Sequence, residues 1–224
     1  MSSRAMSSGL DARKAQPLPI SSNPYYPTVK RIIDIVGSLS ALVLLSPVFI
    51  ITALAIKLES KGPILYSQIR VGQGGKNFHC LKFRSMTADA DQERKRLEGQ
   101  NEMAGGVLFK IKNDPRITRV GKLIRSFSID ELPQIWNVLV GDMSLVGPRP
   151  PIPSEVEHYT SHEMTRLSVQ QGITCIWQVS GRSDIPFEQQ VELDIEYINR
   201  RSVFFDIKLI LLTIPAVLSR KGAY

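Results

Sequence analysis

The sequence predicts an α+β protein associated with a membrane, and three observations lead there. Residues 35–56, IVGSLSALVLLSPVFIITALAI, carry no charge over 22 positions, a length that reaches across a bilayer. Residues 63–86 contain two extended apolar pieces about a glycine turn, GQGGKN, which reads as a β-hairpin. Several later segments have helical periodicity, and the 224-residue chain carries a net charge of +7. Such an excess of Lys and Arg calls for an anionic partner: a membrane surface, a phosphate-bearing substrate or nucleic acid.

The elements follow in order. Residues 1–28 are polar and proline-containing and read as a disordered arm. The uncharged segment follows within 29–59, and Ser46-Pro47 lies at its middle. Proline lacks an amide donor and clashes with the preceding turn, so a break is expected there, with the Ser46 hydroxyl able to satisfy a freed carbonyl. Lys30 and Arg31 precede the segment, and Lys57 and Lys61 follow it. A simple span has one basic side, so two basic flanks favour entry and exit on one face. From the segment alone a kinked straight span, a re-entrant hairpin and a buried soluble helix all stay open.

The core, 60–202, continues past the hairpin with a charged helix at 87–98 and a loop at 99–106. NDPR (113–116) is a turn, and RITRVGKLIRSF (116–127) is a basic amphipathic helix, interfacial or packed on a core. GDMSLVGPRPP (141–151) reads as a restricted loop. A helix is expected to begin at 154–159, GITCIWQVSG (172–181) reads as an extended piece, and 187–200 is helical. Residues 203–224 form a membrane-surface helix and tail: VFFDIKLILLTIPAVL is apolar but short, and Asp206, Lys208 and Pro215 interrupt it.

Ser128-Ile129-Asp130-Glu131 fits a capping box, with Ser128 as cap and Glu131 reaching back. Two adjacent carboxylates behind a basic segment also suit chemistry on phosphate. Neighbouring helical positions diverge by about 100°, so one carboxylate can attack while the other holds a metal or moves a proton. Candidate phosphate ligands are Lys82 and Arg84 in KFRSM, Arg116, Arg125, Arg149 in GPRP and Arg182 in GRSD; arginine suits bidentate phosphate binding. GQGG lacks the ending of a Walker loop. Cys80 and Cys175 have no metal-type spacing and read as buried thiols, and His79, His158 and His162 as structural or surface residues. No zinc finger, RNA-recognition signature or aromatic–basic interleaving supports a nucleic-acid partner.

KFRSM (82–86), DPR (114–116), SIDELPQIWNVLVGDMSLVGPRP (128–150) and the Ser46-Pro47 segment together resemble the bacterial sugar transferases, the monotopic polyprenyl-phosphate phosphoglycosyl transferases, and among them the small exopolysaccharide-initiating type. The resemblance covers roughly residues 28–224. It implies a re-entrant helix-break-helix kinked at Ser46 and Pro47 and a catalytic core on the cytoplasmic face of the bacterial inner membrane, among its lipids. It also implies transfer of a sugar 1-phosphate, with Mg2+, from a UDP-sugar to undecaprenyl phosphate with release of UMP. Asp130 would be the nucleophile of a covalent phosphosugar intermediate and Glu131 its metal-binding partner. A hexose is the implied sugar. Whether the chain pairs as a homodimer is left open, and a non-catalytic scaffold of a polysaccharide assembly complex is the alternative reading.

Overall fold

The computed structural model describes residues 24–87, 90, 114–219 and 222. The expected arm, apart from its last residues, the charged helix at 87–98 beyond its first positions, the loop at 99–106 and Asn113 lie outside the described residues.

Helix α1 spans Tyr26–Leu44 and α2 spans Ser46–Glu59. The first takes in the last three residues of the expected arm, because Pro27 falls in the opening turn, where a missing amide costs nothing. The two helices meet at Leu45 and diverge by 60°. Pro47 occupies the first turn of α2, and the Ser46 hydroxyl donates to the Val43 carbonyl at 2.8 Å. The break therefore arises locally, from the missing proline donor and a serine that satisfies the carbonyl beneath it. Among the described residues no single helix is long and apolar enough to cross a membrane, but the bent pair together is. Nor is the pair a buried soluble element: Val43 is 72% and Ile51 67% exposed.

One face of α1 is docked by polar groups. Asp34, 2% exposed, accepts from the Ser144 hydroxyl at 3.0 Å and the Leu145 amide at 2.9 Å. Lys30 donates to Asp206 and to the Val146 carbonyl, both at 2.8 Å. Arg31 donates to the Val138 and Leu139 carbonyls at 2.7 and 2.8 Å. The leading basic flank thus turns inward, onto protein, because buried acceptors outcompete water for these donors.

Strands β1 (Leu65–Val71) and β2 (Asn77–Phe83) pair antiparallel, Leu65 opposite Phe83, around a turn with Gly74 and Gly75 at positive φ. Helix α3 covers Arg119–Ser126 and starts later than the periodicity suggests: Thr118 caps it, accepting from the Gly121 amide at 2.9 Å. Helix α4 follows at Gln134–Val140. The 141–151 segment is not all loop. Ser144–Val146 forms β3, which pairs in parallel with β4, Gly172–Thr174. Short helices α5 (Pro153–Val156) and α6 (Ser161–Met164) lie between them. The expected extended piece at 172–181 turns helical after β4, as α7, Ile176–Ser180. Helices α8 (Phe187–Arg200) and α9 (Val203–Ser219) complete the order.

Helix α9 runs through Pro215, and Asp206 is not a surface interruption. It is 3% exposed and accepts from Lys30, Tyr26 (3.0 Å) and Tyr197 (2.9 Å). One core cluster, Val146, Val169, Tyr197, Ile198 and Leu209, lies beneath this seam. Another, Ile56, Phe83 and Ile124, joins α2, β2 and α3, with Ile129 and Leu132 packed on it.

Candidate active site

Ser128 does not cap. It adopts φ +54°, and its side chain makes no cap bond. The left-handed residue ends α3 and throws the chain into a 3-10 turn, Ile129–Glu131, ahead of α4. Ile129 and Leu132 pack into the core. Asp130 and Glu131, between them, line a cleft of about 1260 Å³.

Glu131 is also not part of a capping box. Its Oε1 accepts from Lys82 Nζ at 2.8 Å and Arg149 Nη2 at 2.6 Å, and its Oε2 from Arg149 Nη1 at 3.3 Å. Lys82 stands on β2. Arg149 stands on the segment after β3, where the Gly172 amide donates to the Pro148 carbonyl at 2.8 Å. Burial pushes the Glu131 carboxyl up, but Arg149 and Lys82 outweigh it and hold the group well below the usual range.

Asp130 differs. Among the described residues its carboxylate has no hydrogen-bond or ion-pair partner. Burial and then the Glu131 charge push its pKa up to about 6, against the pull of Lys82, Arg125 and Arg149. One carboxylate is thus fixed as an anion and neutralised, and its neighbour is left poorly solvated with free lone pairs. Those are the attributes of a nucleophile beside an electrostatic anchor.

Arg125 and Arg182 line the cleft as well, as do Arg70 and Arg166. Arg125, in the last turn of α3, has no bonded partner among the described residues. Arg182 sits at φ +55°, and its Nη1 is buried with no partner among the described residues. Arg84 and Arg116 also line the cleft, but their guanidinium groups are engaged elsewhere. Arg84 donates to the Ser60 carbonyl (2.8 Å) and hydroxyl (2.7 Å) and the Lys61 carbonyl (3.0 Å), fastening the end of α2. Arg116 clasps Asp114 through Nε at 2.8 Å and Nη2 at 2.5 Å and donates to the Ala90 carbonyl. These bonds make both arginines framework residues of the cleft in this state. Trp177 and Gln178 of α7 line it as well; no local spacing singled them out, because the segment reads as extended. Ser46 and Pro47 sit at the helix break, outside the cleft lining. Cys80 and Cys175 are free and buried.

Among the described residues no group of three His, Cys, Asp or Glu side chains could cage a metal ion. Magnesium does not need such a cage, since it takes one or two carboxylates, substrate phosphates and waters. The Asp130 carboxylate and Glu131 Oε2, whose partner lies at 3.3 Å, keep capacity for it.

This architecture, a carboxylate pair among converging cations beside a broken apolar helix, is accounted for by descent. The chain belongs to the bacterial sugar transferase family, whose model matches residues 25–220. It is 50% identical over 195 residues to the galactosyl transferase CpsE of Streptococcus agalactiae serotype III (strain NEM316), covering 87% of this chain and 43% of that protein. It is 43% identical over 199 residues to the undecaprenyl-phosphate galactose phosphotransferase of Salmonella typhimurium, covering 88% of this chain and 42% of that one. The exopolysaccharide production protein ExoY of Rhizobium meliloti is 38% identical over 198 residues, covering 87% of this chain and 88% of that protein. The chain thus spans about two fifths of the length of the first two relatives and nearly all of the third.

Proposed function

We propose that this chain transfers a hexose 1-phosphate from a UDP-sugar to undecaprenyl phosphate. The products are undecaprenyl-diphosphate-sugar and UMP, and the step initiates an exopolysaccharide or related glycan. The observation that carries the reading is the asymmetry of the dyad: Glu131 neutralised by Lys82 and Arg149, Asp130 without a partner among the described residues, in one cleft with Arg125 and Arg182. The names of relatives support the substrate classes, since the Salmonella protein is an undecaprenyl-phosphate galactose phosphotransferase and a Klebsiella pneumoniae relative a UDP-glucose:undecaprenyl-phosphate glucose-1-phosphate transferase.

In the first displacement an ionised Asp130 oxygen attacks the sugar-bearing phosphorus. The bond to the bridging oxygen breaks, and that oxygen leaves with UMP. In the second, a phosphate oxygen of the lipid attacks the same phosphorus and frees the carboxylate. Arg125 and Arg182 have guanidinium nitrogens available for the diphosphate oxygens, and Lys82 and Arg149 hold Glu131 in place. Magnesium, held by Glu131 with Asp130 beside it, would neutralise diphosphate charge and improve the leaving group. The bent α1–α2 pair enters and leaves the membrane on the cytoplasmic face, which keeps the cleft at the surface where a lipid phosphate and a soluble nucleotide meet.

The test is the intact mass of the protein after incubation with UDP-glucose or UDP-galactose and magnesium without lipid. A hexose-phosphate adduct on Asp130 that disappears on adding undecaprenyl phosphate is the expected result. An active preparation that forms no adduct and releases UMP only with both substrates present would instead require direct transfer.

A further inference from the structure

The cleft around Asp130 has a second wall that the chemistry at phosphorus does not use. The same continuous cavity is lined by Gly37, Ala41 and Leu44 of α1 and by Ile210, Ile214 and Val217 of α9. We infer that this apolar arm between α1 and α9 seats the isoprenoid chain of a polyprenyl phosphate, with its phosphate at the cationic end of the cleft. The inference rests on the proposed transfer reaction and goes further by giving the acceptor a path.

Three features carry it. First, α1 and α9 are pinned together near their N-terminal ends, where Lys30 and Tyr26 meet Asp206. Beyond that seam, residues 37–44 and 210–218 wall a shared space over about 10 Å of helix. Second, the wall is apolar apart from two hydroxyls, Thr213 on α9 and Ser40 on α1. The Thr213 hydroxyl, the polar group of this stretch of α9, bonds Thr174 at 2.7 Å and the Leu209 carbonyl at 2.8 Å, so it is satisfied within the protein. On α1 the large side chains Val36, Leu39 and Val43 are exposed and outside the lining, whereas Gly37, packed closely on Leu145, Ser40, Ala41 and Leu44 line the cavity. Third, the charge is at the correct place for a lipid anion, with Lys82, Arg125, Arg149 and Arg182 lining the same cavity. An apolar tail with one anionic head matches a cavity with an apolar arm and a cationic floor. A second apolar groove, about 560 Å³ and lined by Phe49, Ile50, Ala53 and Ile64, meets the cleft at Pro63, Leu65 and Phe83 but has no charged lining residue. It offers nothing to a phosphate.

The experiment uses the full chain in lipid nanodiscs and a long-chain polyprenyl phosphate carrying a diazirine on the isoprenoid units nearest the phosphate. After photolysis, adducts are expected within residues 37–44 and 210–218, and excess unlabelled polyprenyl phosphate should suppress them. Adducts centred on Phe49–Ala53, or spread over the exposed apolar residues and insensitive to competitor, would overturn the inference. In parallel, Ala41→Trp and Ile214→Trp should raise the KM for polyprenyl phosphate at least ten-fold and leave that for the UDP-sugar within two-fold. An unchanged acceptor KM, or equal loss for both substrates, counts against the path. Competed cross-links at both helices in a wild-type chain that makes no product would support the path and refute the transfer reading, so the two fail separately.

Discussion

Replacing Asp130 by Asn is expected to abolish transfer and, at the same time, to stabilise the protein at alkaline pH. An acid whose folded pKa lies above its unfolded value disfavours the fold wherever it is ionised. For Asp130 the rise is from 3.8 to about 6, caused first by burial and then by Glu131. The penalty is therefore full above about pH 6, shrinks as pH falls through the interval, and is gone below the unfolded value. A two-unit gap is worth about 3 kcal/mol at most. Asp130 is only partly buried, so water screens the charge, and a gain of about 1–2 kcal/mol is the expected size. Asn keeps the shape and removes the charge. For a chain of this length each kcal/mol moves the unfolding midpoint by about 2–4 °C, so Asp130→Asn should melt a few degrees above wild type at pH 8. At pH 4.5 the difference should shrink to about a third, since folded Asp130 is then mostly protonated while the unfolded side chain is still mostly ionised. The assay is thermal unfolding of both proteins in one detergent at the two pH values, with the adduct measurement on the same samples. A variant that melts below wild type at pH 8, or whose advantage grows as pH falls, would refute the electrostatic account of the dyad.

Glu131→Gln removes the anion that raises its neighbour, so the acidic limb of the pH–rate profile, near pH 6 in wild type, should move down while the rate falls; a limb that moves up would contradict the assignment. Lys30→Met leaves Asp206 buried with two tyrosine donors and should destabilise by about 3 kcal/mol, whereas Lys30→Met with Asp206→Asn should recover part of it, as read by denaturant unfolding. Arg31→Ala strips the donors from the last carbonyls of α4 and should lower kcat more than it changes either KM, with Arg31→Lys giving partial rescue. Gly172→Ala would place a Cβ 2.0 Å from the Gly147 amide nitrogen, so it should force β3 and β4 apart and abolish both folding yield and activity.

What the sequence by itself determined is what short-range chemistry controls. Ser46-Pro47 breaks the apolar helix because the missing donor lies four residues, and the compensating hydroxyl three, from the Val43 carbonyl they affect. The hairpin follows from a glycine turn between two extended apolar runs. The Asp130–Glu131 pair is visible as a motif, and so is the basic character of what surrounds it. Partner choice is another matter. Glu131 is neutralised by Lys82, 49 positions away, and by Arg149, 18 positions away. Ser128 looks like a cap yet turns left-handed, because Ile129 and Leu132 are drawn into a core built from α2, β2 and α3. Arg84 and Arg116 carry the same chemistry as Arg125 and Arg182, but among the described residues the first two meet carbonyls and a carboxylate and the latter two do not. Lys30 and Arg31 read as the leading basic flank of the apolar segment and are turned onto Asp206 and the end of α4. A guanidinium or ammonium binds whichever acceptor the fold delivers, with similar strength for many of them. Only the tertiary structure decides which cations reach the dyad, and with it which carboxylate is held and which is free to attack.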